Sequence, residues 1–384
     1  LAGQRCTGAR QDGGGWTGQQ RCAHGERRAL AWMRTVAAMG LRVWHSDTAF
    51  EETILALAHL TGFAEGEEVW QMATVLLDKL LFQLAVNSFV GVFGASRGTT
   101  PTAHLFGGHL GATSGITKLL WGQGVFNPSF AATVSLACLT EYEVPLMFRD
   151  IATQSPAEGL WSRERHGLGG VSTATFRTPA SMLSAALDYR PGEPGKAEHI
   201  WQATLGPAAT VFVTHPVASS LSDAWYPNFW RGNGVLPRVA QWRDALIALY
   251  ALPADDWMGF THAYFPLVAF DEGAVRGRWA FARKGDGYLA LGASQDLSLV
   301  GNGEAAYREL RVNGPHAVWL CQLGRASEDG DFASFQAKVQ ALSVTYGDLS
   351  VRWETLRGDT LALDWTGPFL RNGEPLSLVV ENAV

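Results

Sequence analysis

Hydrophobic and polar positions along this chain change period once. From Arg28 to about Gly167 the apolar residues recur at helical spacing, most clearly over residues 67–88, where Val69, Met72, Val75, Leu76, Leu80 and Leu84 fall three to four apart. Residues 30–41, 50–60, 114–121 and 128–139 predict further helices, the last with Asn127 as N-cap and Pro128 in the first helical position. Residues 1–27 are rich in Gly, Gln and Arg without apolar periodicity and read as disordered or poorly packed. Near Val171 the pattern turns to β-branched and aromatic runs, which predict strands over residues 171–177, 208–214, 275–282 and 288–291. Gly285-Asp286-Gly287 is a hairpin turn between two of them. Residues 331–342 return to helix, and 349–355 and 360–365 to strand. The expected fold is a multidomain α+β protein. Residues 28–168 form an α-helical layer (a bundle, or part of an α/α toroid), Gly167-Leu168-Gly169-Gly170 is the linker, and residues 169–384 form a large antiparallel β-sandwich.

Composition sharpens this picture in a few places. The 384 residues suffice for two domains, and a net charge of −6 excludes the usual basic nucleic-acid binder. A local cluster of Arg, Lys and His can still oppose that sign and hold an anion. No wholly apolar stretch reaches the roughly 20 residues that span a bilayer. The cysteines Cys6, Cys22, Cys138 and Cys321 show no metal spacing, and Cys138, in an apolar run, reads as a buried free thiol. The start, Leu1-Ala2-Gly3, is neither an initiator Met nor a signal peptide, so N-terminal truncation is expected and localisation cannot be read.

Candidate chemistry concentrates between residues 188 and 291, where His, Trp, Tyr, Asn and Arg recur in a β-type region. These are side chains that bind and polarise sugars. His199, His215 and His262 lie there beside Trp201, Trp230 and Tyr264, and three His could also ligate a divalent cation such as zinc. Arg231, Asn233 and Arg238 sit in a Gly/Pro-rich loop of the kind that carries function. In the helical half, Asn87 and Arg97 flank a Gly-rich loop. Together they could grip a carboxylate, or Asn87 simply caps its helix. His166 is either a base at the domain junction or a solvated helix end, and Tyr142 is either a phenolic acid–base group or a ring packed between helices. Glu141/Glu143, Asp255/Asp256 and Asp271/Glu272 are the candidate carboxylate pairs for glycoside hydrolysis. The nucleophile-elbow, Walker, zincin and dinucleotide signatures are missing.

A helical half followed by a β-sandwich, with Asn, Arg, His and Tyr near the junction, resembles the polysaccharide lyases of the heparinase II/III, chondroitin AC lyase and alginate lyase type. The resemblance covers residues 30–384 in layout. It implies β-elimination on an acidic, uronic-acid-containing polysaccharide or oligosaccharide. Asn87 and Arg97 would then neutralise the uronate carboxylate, and Tyr142, His166 and Tyr189 would supply base and acid. Trp201, Trp230 and Tyr264 would stack on sugar faces, with His199 and His215 reaching in from the sheet. The rival expectations are a glycoside hydrolase on the same architecture and a non-catalytic carbohydrate-binding protein.

Overall fold

A computed structural model of the chain describes residues 14–167 and 169–381. Helices come first: α1 (Gly18–Met39), α2 (Asp47–Phe63) and α3 (Glu67–Val86). Short helices α4 (Thr102–Phe106), α5 (Ser114–Trp121), α6 (Ala131–Ala137) and α7 (Leu146–Thr153) follow. Apart from α4, whose Leu105 packs with Phe212, Trp230 and Tyr264, their apolar faces meet in one core that includes Met33, Ile54, Leu57, Leu77, Leu81 and Ile116. The composition of residues 18–27 led to an expectation of disorder. They are instead the first half of α1, started by Thr17 and Gln20 in a reciprocal capping box. The remaining residues 1–13 lie outside those described. α3 is long and apolar enough to cross a bilayer, which no stretch was expected to be, yet 56% of that window is buried inside the protein, as in a core helix. Helix α6 is shorter than predicted. Asn127 does not cap it but closes a turn by accepting from the Ser129 N–H, and Cys138 is exposed rather than buried.

The sheet half begins earlier than its apolar pattern. Strand β3 (Leu160–His166) pairs with β4 (Val171–Arg177), so the linker expected at residues 167–170 falls between two paired strands of one sheet, with Leu168 outside the described residues. Strands β5 (Met182–Leu187), β6 (Trp201–Thr204) and β7 (Thr210–Thr214) continue this sheet. Its far edge is β10 (Phe260–Tyr264), β15 (Glu309–Asn313) and β14 (Ser298–Leu299), which makes eight strands. A second sheet holds β8 (Arg238–Trp242), β9 (Ala245–Ala251), β11 (Glu272–Arg276), β12 (Trp279–Lys284), β13 (Gly287–Ala293) and β16 (His316–Arg325). The single strand predicted over 275–282 is therefore two strands, because the chain turns at Gly277. Ladder pairing of Lys284 with Gly287 leaves Gly285 and Asp286 as the predicted two-residue turn. Apolar residues of both sheets share one core around Trp201, Leu246, Ile247 and Trp319. Helices α8 (Ala326–Asp329) and α9 (Phe332–Ala341), the latter capped by Asp331, precede a small C-terminal sheet of β17 (Val344–Tyr346), β18 (Ser350–Glu354), β19 (Thr360–Asp364), β20 (Leu370–Arg371) and β21 (Glu374–Pro375). All of the strand pairs are antiparallel, and the class is mixed α+β.

Candidate functional site

Charged and polar side chains fill a seam where the helices meet β3–β6. It starts at the end of α3. Gln83 and Asn87 are four residues apart and so share a helix face, and both reach Glu164 of β3. Gln83 Nε2 donates to Glu164 Oε2 at 3.1 Å and Asn87 Nδ2 to Oε1 at 2.7 Å. Asn87 also accepts from Thr175 of β4 at 2.7 Å. After Asn87 the chain must reverse at once, and β1 (Ser88–Phe89) and β2 (Val92–Phe93) do so through Val90 and Gly91, both left-handed. At Gly91 a Cβ would stand 2.2 Å from the Gly124 backbone nitrogen, so only glycine fits there.

Residues two apart on a strand face the same way, so His166 accompanies Glu164 into the seam. His45, from the loop ahead of α2, completes the group. Its Nε2 lies 3.5 Å from Glu164 Oε2, and His166 Nε2 lies 3.4 Å from the same oxygen. All three side chains are buried, and their facing donor atoms lie within 4.8 Å of one another. This group could hold a metal ion. Burial alone would raise the Glu164 pKa, but the two adjacent imidazoles hold it well below the usual carboxylate range. Burial and His45 together push His166 down, with Glu164 opposing, which leaves a neutral imidazole near pH 7.

Two residues beyond His45, the fully buried Asp47 opens α2, where the helix N-terminus favours a negative charge. Its carboxylate accepts from the Ala112 N–H at 2.9 Å, lies 3.7 Å from Arg97 Nη1 and 2.7 Å from His104 Nδ1. The last contact is short but bent away from the ring N–H direction. Burial would raise the Asp47 pKa, yet Arg97, His104 and the Ala112 N–H bring it far below the carboxylate range. The Arg97 guanidinium is buried too, donating to Thr100 at 3.0 Å and to the Phe93 carbonyl. His104, on α4, retains 15% side-chain exposure. The N-terminal end of α4 is covered by the 218–231 loop. Asp223 accepts from Thr102 Oγ1 at 2.6 Å. Arg231 donates to Thr99 at 3.1 Å, lies 3.4 Å from Asp223 and covers the Tyr226 ring at 4.4 Å. Its Nε has no partner.

The structure thus brings together Asn87 with His166 through Glu164, and Arg97 with His199, whose backbones exchange two hydrogen bonds of 2.8 Å. Neither Asn87 nor Arg97 has an open face for a substrate carboxylate, because burial and internal partners commit both. Tyr142 lies apart among the helices, donating to Asp78 at 2.7 Å. Tyr189 packs on Trp44 at 4.8 Å. The expected sugar platforms are corrected by burial. Trp201 is fully buried in the shared sheet core, Trp230 stacks on His262 at 4.1 Å, and Tyr264 stacks on Phe212 at 5.3 Å. Exposed rings of the sheet half include Trp225, Tyr226 and Trp257 instead.

The three sheet histidines do not meet. Nε2 of His199 contacts Gln202 at 2.9 Å, His215 faces Asp256 at 3.1 Å, and His262 contacts Glu309 at 2.9 Å. Among the described residues, the metal-capable group is His45, Glu164 and His166, so only one of its ligands was a sequence candidate. Asn233 is buried and ties His215 to Tyr250, and Arg238 is fixed by Asp188 at 2.9 Å and by carbonyls of the C-terminal sheet. His45, Asp47, His104 and Glu164 were missed as site residues. The one local signal is the alternation of Glu164 and His166 in a charged run. No protein-family model matches the chain, and no curated protein matches it.

Two measurements separate these roles. Trp201→Ala is expected to cost about 3–5 kcal/mol in urea unfolding, whereas Trp225→Ala at the surface should stay within about 0.5 kcal/mol of the parent. A comparable loss in both would contradict the burial assignment. His199 supplies a pH test. Burial, reinforced by Arg97, depresses its pKa to about 3. The unfolded chain therefore takes up this proton below about pH 6.5 while the folded chain does not. Stability is fully present above that pH and falls by up to about 4 kcal/mol towards pH 3. His199→Gln should flatten this part of the unfolding free energy against pH, and an unchanged slope would assign the acid sensitivity elsewhere.

Proposed function

We propose that this chain is a polysaccharide lyase that cleaves a uronic-acid-containing glycan by β-elimination, with an α/α-toroid-like helical half set against a β-sandwich. The observation that carries the reading is the Asp47–His104 pair, a partly exposed imidazole 2.7 Å from a buried carboxylate, on the helix whose first residue, Thr102, is tied to the Asp223 that Arg231 meets. β-Elimination needs a base for the proton α to a carboxylate and a cation to hold the charge that develops there. His104 is the base: with Nδ1 on Asp47, its Nε2 is left to take the C5 proton. Arg231 is the carboxylate partner, since its guanidinium is partly exposed and its contact with Asp223, at 3.4 Å, is long. The C5–H electron pair forms the C4–C5 double bond as the C4–O4 bond breaks, and the Tyr226 hydroxyl returns a proton to O4. Trp225 offers an exposed face for a neighbouring sugar.

Among the candidate carboxylate pairs, Asp271 and Glu272 are spent on surface contacts with Lys284 and Arg283 at 2.8 Å, and Asp256 faces His215. That favours elimination over two-carboxylate hydrolysis. The test is a panel of anionic and neutral polysaccharides read by both ultraviolet absorbance and reducing ends. The expected result is new absorbance on a uronan. Reducing ends without absorbance would assign a hydrolase, and binding without product a carbohydrate-binding protein.

A further inference from the structure

Two imidazoles that converge on one carboxylate oxygen in a buried place, with their facing nitrogens unpartnered, need an explanation. His45 has no hydrogen-bond partner for Nδ1 or Nε2, and His166 has none for Nε2. Their distances to Glu164 Oε2, 3.5 and 3.4 Å, are too long for the charge-assisted bonds that a buried imidazole and carboxylate would otherwise form, which run about 2.7–2.9 Å. Nitrogen and oxygen ligands at about 2.1 Å from one tetrahedral ion stand about 3.4 Å apart, which matches both distances.

The surroundings fit the same assignment. Glu164 Oε1 is held by Asn87 and Oε2 is steered by Gln83, the outer contacts that fix a ligating carboxylate. His45 takes a left-handed backbone with φ of 45°, unusual for a buried non-glycine residue. Gly40 brings α1 close to the His166 ring, where a Cβ would come within 3.3 Å of Nδ1. A cavity of about 510 Å³ is lined by Trp44 and Gly167, the chain neighbours of the two histidines, with Arg42 and Tyr189 among others.

We infer that His45, His166 and Glu164 bind one divalent transition-metal ion, with zinc the best match to two imidazole nitrogens and one carboxylate oxygen. One ligand comes from the loop before α2 and two from β3, so the ion pins the helical layer to the sheet. Magnesium and calcium are disfavoured, since both prefer all-oxygen shells. The site is separate from His104, so it stands or falls independently of the lyase reading.

The full chain, stripped with a chelator and titrated with zinc against a chromophoric competitor, should take up one equivalent and gain thermal stability. His166→Gln should weaken that uptake by at least tenfold. Failure of the folded, stripped chain to take up zinc would overturn the assignment, as would uptake that His166→Gln leaves unchanged. Should the variant not fold, zinc-edge X-ray absorption on the parent chain decides. Two imidazoles and an oxygen at about 2.0–2.2 Å are expected, and a shell containing sulfur, or oxygen alone, refutes the site.

Discussion

Replacing Asp47 with alanine is expected to remove about 3–5 kcal/mol of stability, as much as emptying the core position of Trp201. The reason is the partner left behind. Arg97 is 2% exposed, and its nearest counter-charge is Asp47 at 3.7 Å. Without that carboxylate the guanidinium stays buried, with only Thr100 and backbone carbonyls for company. Domain stabilities of about 5–15 kcal/mol make this a loss that changes the fraction folded. Chemical denaturation of Asp47→Ala, Arg97→Leu and the double variant measures it. The double variant should be more stable than Asp47→Ala alone, because removing both charges leaves none unpaired. If the two single costs simply add, the pair is not coupled and the explanation fails.

The second large effect is on turnover. His104→Ala is expected to lower the rate of unsaturated-product formation by about 10²–10⁴-fold, the usual worth of a positioned base. Folding should survive, because the ring is partly exposed and gives up only its contact with Asp47. Arg231→Ala should reduce the same rate and raise the substrate concentration needed for half-maximal turnover. Progress curves on the uronan that responds best supply the measurement. Undiminished absorbance with His104→Ala would move the base elsewhere in the seam.

Legibility from sequence varied with the range of the forces involved. Ser114–Trp121 and Val171–Arg177 were readable to the residue, and so was the turn at Gly285-Asp286, because spacing and turn chemistry act over a few neighbours. Strand β3 was misread as the end of the helical region. Its run Trp161-Ser162-Arg163-Glu164-Arg165-His166 has no apolar face, since one face meets the polar seam while Arg163 and Arg165 reach carbonyls near the C-terminus. Trp201 and Trp230 were assigned to sugar faces on residue type alone. Type cannot distinguish a ring that packs inside from one that points outward; the second sheet packed behind Trp201, and Leu105 of α4 with Phe212 and Tyr264 around Trp230, settle it.

By itself the sequence determined the order of elements, the change from helical to strand period and the absence of a basic, nucleic-acid-binding charge balance. It also marked Asn87, Arg97, His166 and His199 as unusual. The tertiary structure alone decided who partners whom. Asp47 meets Arg97 and His104 across 50 or more positions, and Glu164 meets Asn87 across 77 and His45 across more than a hundred. Burial of a charge is tolerable only where packing delivers a partner, and that delivery depends on how α2 and α3 lie against β3. No local spacing encodes it, so the seam came into view only when the layers closed on it.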